Sequence, residues 1–128
     1  MELPQFHRQG FAELQQALEQ LHRQLLAPAD PELDIRAAIA QLQTIFQEKI
    51  IPLPLDELPA PVEHQVQSFQ VEINKQLRLL GMDGMFLQAA RQPATTDQRR
   101  NQIHDRLVLL HRYCEAVLRG EGEEGMEG

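Results

Sequence analysis

Three groups of side chains in this chain of 128 residues have types and spacings that chemistry uses. Glu19-Gln-Leu-His22 has the Glu-x-x-His spacing with which carboxylate-bridged di-iron bundles hold metal. Such a site draws on two of these motifs and two further glutamates, all projecting inward. Here the motif occurs once, and Glu19 falls well off the apolar stripe of its own helix. His111 and Glu115 are four residues apart and could share a ligand, while His104 lies two turns before His111. All three fall on the flank of their helix, where histidines are solvated or sit at the core boundary. Cys114 takes an inward position, where cysteine serves as a small hydrophobe. His111 and Arg112 would activate its thiolate only if it were exposed. The chain has no phosphate loop, dinucleotide fingerprint or His-Glu-x-x-His pair. A non-enzymatic protein without cofactor or metal is therefore expected. The alternative is a metal-binding bundle or enzyme, with Glu19, His22, His111 and Glu115 as the first ligands to test.

Four helical segments position these residues. The first, from about residue 5 to 27, spaces Phe11, Leu14, Leu18, Leu21 and Leu25 by threes and fours, and Pro28 ends it. Asp30-Pro31 reads as an N-cap with proline at the first helical position. The second helix then runs to about Ile51 with Ile35, Ile39, Leu42, Phe46 and Ile50 inward. Residues 52–61, PLPLDELPAP, forbid helix and form the one long connection. The third helix spans 62–91, with Gly81 and Gly84 weakening its middle and inviting a kink or an overhang. Gln92-Pro93 stops it. Thr95-Thr-Asp-Gln98 fits a capping box, and the fourth helix follows to Arg119, with Ile103, Leu107, Leu110, Cys114 and Val117 inward. Gly120 closes it. No alternating strand is present, so the expected fold is all-α, an antiparallel up-down-up-down four-helix bundle with a long third helix. Residues 1–119 make the single domain, and 120–128 form an acidic, disordered tail.

The third helix carries more apolar surface than a bundle needs. Val62, Val66, Phe69, Ile73, Leu77, Leu80 and Leu87 form a complete core stripe. Val71, Leu79, Met82, Phe86 and Ala89 make a second stripe on the opposite side, with Met85 beside it and Lys75 and Arg78 as a basic rim. A helix that is apolar all round is normally buried all round. Either other parts of the chain cover this second stripe, or it serves as a homodimer seam or a docking surface for an acidic protein partner. Methionines suit an adaptable surface, and a central aromatic such as Phe86 suits an anchor.

Charge sharpens the choice of partner. The net charge is −7, yet it is unevenly spread. Residues 1–74 hold four basic and eleven acidic side chains; residues 75–119 hold eight basic and four acidic; the tail adds four glutamates. An acidic chain with few aromatics and no groove-entering element is not built for nucleic acid. A locally basic half steers acidic proteins instead. The N-terminus lacks the basic and apolar regions of a signal peptide, and no apolar run approaches the roughly 20 residues of a membrane span. With a single cysteine, no internal disulfide forms, which fits a reducing cytoplasm.

Residues 72–118 contain EINKQLRLL, MFLQAARQ and RYCEAVL, and on these strings the chain resembles the cyanobacterial PatD family of heterocyst frequency control proteins. Residues 1–60 match that family only in helical pattern. The resemblance implies a small cytoplasmic regulator that binds the tubulin-like division protein FtsZ, modulates its assembly and tunes heterocyst frequency or cell division. It brings no catalytic residues and no binding map. The partner-binding surface expected here, Val71, Lys75, Arg78, Leu79, Met82, Met85, Phe86 and Ala89, comes from the periodicity alone.

Overall fold

A computed structural model describes residues 3–27 and 33–120. Pro28, the Asp30-Pro31 cap and the tail beyond Gly120 lie outside the described residues. Four helices follow in order: α1 (Gln5–Leu26), α2 (Ile35–Ile45), α3 (Ala60–Ala89) and α4 (Pro93–Leu118). Among the described residues there is no strand. Sequential helices are neighbours and α1 closes the ring against α4, so the fold is an all-α four-helix bundle. The ends show the antiparallel sense. Arg8 of α1 donates to the Leu118 carbonyl at 2.5 Å, and Arg100 at the start of α4 donates to the Leu25 carbonyl at 2.7 Å. At the other diagonal, Arg36 of α2 donates to Gln88 Oε1 of α3 at 2.6 Å.

The inward stripes of α1 and α4 are buried as their spacing requires: Phe11, Leu14, Leu18, Leu21 and Leu25 meet Ile103, Leu107, Leu110, Cys114 and Val117. Ile39, Leu42, Phe46 and Ile50 close the third side, and Val62, Val66, Ile73, Leu77 and Leu80 the fourth. Phe69 is an exception to the expected core. It is half-buried, packed on the core edge with its ring centroid 5.9 Å from that of Tyr113.

Five local expectations need correction. Helix α3 begins inside the 52–61 segment, at Ala60, because Pro61 in a first turn lacks only an amide that would be unpaired there anyway. The second helix starts later than the sequence suggests, because Asp34 caps it: its Oδ1 accepts the Ala37 amide at 3.0 Å. Its α-helical hydrogen bonding ends at Ile45, and one π-helical turn carries the chain over Phe46–Ile50, closed by the Ile51 amide on the Phe46 carbonyl at 3.0 Å. The Thr95-to-Gln98 capping box is not used. Pro93, whose fixed φ and missing amide suit a first helical position, starts α4 three residues earlier than that box would, and Thr95 lies inside the helix.

Gly81 and Gly84 do not break α3. The helix is α throughout, about 45 Å long beside an α4 of roughly 39 Å. Gly84 is instead a point of close approach: a Cβ there would sit 2.9 Å from Ile39 Cδ1 of α2, and the end of that side chain would have to shift to admit it. Gly10 is the stricter case, since a Cβ on it would run into the backbone carbonyl oxygen of Lys49 in the π-helical turn.

Candidate functional site

The sequence of α3 has to serve two faces. Pro59 precedes it without a side-chain cap, Pro61 occupies its first turn, and Glu63 complements the helix N-terminus. From there Val62, Val66, Ile73, Leu77 and Leu80 turn into the bundle. The opposite face stays open. Val71 is 65% exposed, Met82 51%, Met85 57% and Phe86 46%. Ala89, Lys75 and Arg78 are exposed as well, so the structure brings the expected stripe and its basic rim together on one surface. Leu79 is half-buried and marks the margin of the stripe toward α4 rather than its centre. No part of the described chain covers this face as a whole.

One contact from α4 reaches it. The Arg99 guanidinium lies over the Phe86 ring, 4.7 Å from its centroid, so a cation sits at the anchor itself. Arg91, just beyond the end of α3, is exposed too. The acidic residues within 71–91 do little to offset these cations. Glu72 is half-buried near Tyr113, and Asp83 is buried.

Asp83 is the residue that sequence reasoning missed. It is 4% exposed and ion-paired to Arg106 of α4, which also donates to the buried Gln76 Oε1 at 3.1 Å. The signal was present in the spacing. Gln76 and Asp83 are seven residues apart, hence on one face, and flank the core residue Leu80. Arg106 lies one residue from the core position Leu107, within reach of that face.

The histidine groups lie between α1 and α4. His111 faces Glu19 with Nε2 at 2.9 Å from Oε1 and Glu115 with Nδ1 at 3.6 Å from Oε2. His22 and His104 stack with ring centroids 4.7 Å apart, and His22 Nε2 is buried with no hydrogen-bond partner. Burial first, then the neighbouring His104 and His111, pulls the His22 imidazole below its ordinary range. Glu19, His22, His111 and Glu115 border a surface cleft of about 480 Å³ that Leu18, Leu107 and Val108 also line. Among the described residues, however, no three His, Cys, Asp or Glu side chains are grouped to hold a metal ion. Of Glu19, His22, His111 and Glu115, only Glu19 and His111 are joined by a hydrogen bond across the seam; Glu115 sits one turn from His111 on α4, and His22 packs against His104. Cys114 is fully buried, and that burial pushes its thiol up to about 12, which removes the thiolate a nucleophile needs.

Among the described residues no helix is long and apolar enough to cross a membrane. Compared with protein-family models, with curated proteins and with solved structures, the chain matches none.

Proposed function

We propose that this chain is a non-enzymatic regulator that acts by docking a protein partner on the open face of α3. The observation that carries the reading is the exposed run Val71, Met82, Met85 and Phe86, bordered by Lys75, Arg78 and Arg99, on a helix whose other face is already a complete core. An apolar centre with an aromatic anchor and a charged rim is the anatomy of protein interfaces. Basic rim residues favour an acidic partner.

The resemblance of residues 72–118 to the PatD family supplies the identity proposed for that partner. It is FtsZ, whose assembly this protein modulates in the cytoplasm, with an effect on heterocyst frequency or cell division. Helix α3 from Glu72 onward, which includes most of the open face, lies inside the resembling segment, while the choice of that face rests on its exposed apolar residues alone. Light scattering of purified FtsZ through a cycle of nucleotide-driven assembly tests this reading. Adding the protein should change the extent or the lag of assembly in proportion to its concentration. Superimposable traces with and without it would remove FtsZ as the partner.

A further inference from the structure

A second apolar surface lies at the opposite end of the bundle and carries the opposite charge. At the start of α1, Phe6 is 69% exposed, and Ile51, just after the π-helical turn, is 45% exposed. Phe6 borders a cleft of about 330 Å³, formed with Glu13 of α1, Glu48 and Lys49 of the π-helical turn, and Pro52 and Leu53 of the connection. Glu13 and Glu48 give it an acidic rim, with Lys49 the one cation on it. The connection beyond adds exposed Asp56 and Glu57 and no basic residue.

The two surfaces are fixed at opposite ends by the contacts of α1. His7 Nε2 is 2.8 Å from the Pro54 carbonyl oxygen, and Arg8 holds the end of α4, which sets the cleft beside the start of α3. Arg100 binds the far end of α1 at the Leu25 carbonyl, and Gln88 binds the start of α2 through Arg36, which sets Met82, Met85 and Phe86 at the other end.

We propose that copies of this chain associate head to tail, the Met82, Met85 and Phe86 end of one α3 seating in the acidic cleft beside Phe6 of the next. Charge decides between this pairing and a symmetric one. Two α3 stripes face to face would set Lys75, Arg78 and Arg99 of one copy against the same cations of the other. Head to tail sets them against Glu13 and Glu48. A patch complementary to a cleft elsewhere on the same molecule makes a heterologous contact, which extends into open chains unless the rotation closes a ring. The inference rests on reading α3 as a docking surface and not on the identity of its partner. It makes self-assembly and partner docking compete for one face, so the free regulator available to a partner depends on its own concentration.

Sedimentation velocity on the full chain tests it, with no FtsZ present. The weight-average mass should rise with concentration beyond twice the 14.7 kDa of one chain, and fall again in high salt. Phe6→Glu and Phe86→Glu, each checked for helix content by circular dichroism, should stay monomeric alone. Mixed together they should form a dimer and nothing larger, because one retains the stripe and the other the cleft. Met85→Glu, on a more exposed position, replaces Phe86→Glu if that variant loses helix. A wild type that is monomeric at every concentration overturns the proposal while leaving partner docking intact. A mixture that fails to restore the dimer also overturns it, since a symmetric seam is not complemented by mixing.

Discussion

Arg106 of α4 grips the buried carboxylate of Asp83 on α3, and its second arm donates to Gln76 Oε1 at 3.1 Å. This three-residue lock ties the two helices together along the flank of α3 next to the exposed Met82. It explains why an aspartate can stand in the most apolar stretch of the chain. The charge is desolvated but paired and hydrogen-bonded, which is the condition under which a buried carboxylate is tolerated. It also leaves the outer face of α3 without acidic charge next to its methionines.

Removing one member should therefore cost far more than replacing the set. Asp83→Ala leaves Arg106 facing an unpaired site and should destabilise the fold by about 3–5 kcal/mol. Asp83→Leu combined with Arg106→Met should recover most of that loss. Urea melts of the two variants check it. A single variant as stable as wild type would show that the pair carries no structural weight.

The core ranks its residues by burial. Leu107, 1% exposed, should cost about 2–5 kcal/mol on truncation to alanine, through lost burial and the cavity left behind. Phe69→Ala should cost less despite the larger side chain, because Phe69 is half-buried at the edge beside Tyr113. Denaturant midpoints decide the order. A larger loss at Phe69 would place it in the core after all.

Acid should loosen the seam between α1 and α4. Burial, then His104 and His111, hold the folded His22 below the ordinary 6.5. Unfolded, His22 takes up a proton at that ordinary value; folded, it does so only at lower pH. The unfolded chain thus binds more protons just below 6.5, and stability falls as pH drops through that window. Unfolding midpoints for wild type and His22→Gln, taken above and below 6.5, test this. The wild type should lose more than the variant. Equal losses would assign the pH dependence to other groups.

Helical periodicity made most of the fold legible. The stripes of α1 and α4 are buried as read, because every third or fourth apolar residue must face the same way. What spacing did not show is what depends on a neighbouring helix. Asp83 looks like a surface charge until Arg106 is set opposite it. Gly84 looks like a helix breaker until Ile39 is packed on it, and Thr95 like a cap until Pro93 starts the helix ahead of it. For the open face of α3 the sequence was enough to mark Val71, Met82, Met85 and Phe86. It was silent on Arg99, which arrives over Phe86 from another helix.

The claim that most needs testing is that this face binds a protein partner. The variant Met82→Glu with Phe86→Glu, compared with wild type in co-sedimentation with FtsZ polymers, tests it most directly. The variant should keep its helix content by circular dichroism and stay in the supernatant while wild type pellets with the polymers. A folded variant that pellets as fully as wild type would contradict it, and would show that the open face of α3 is not where the partner docks.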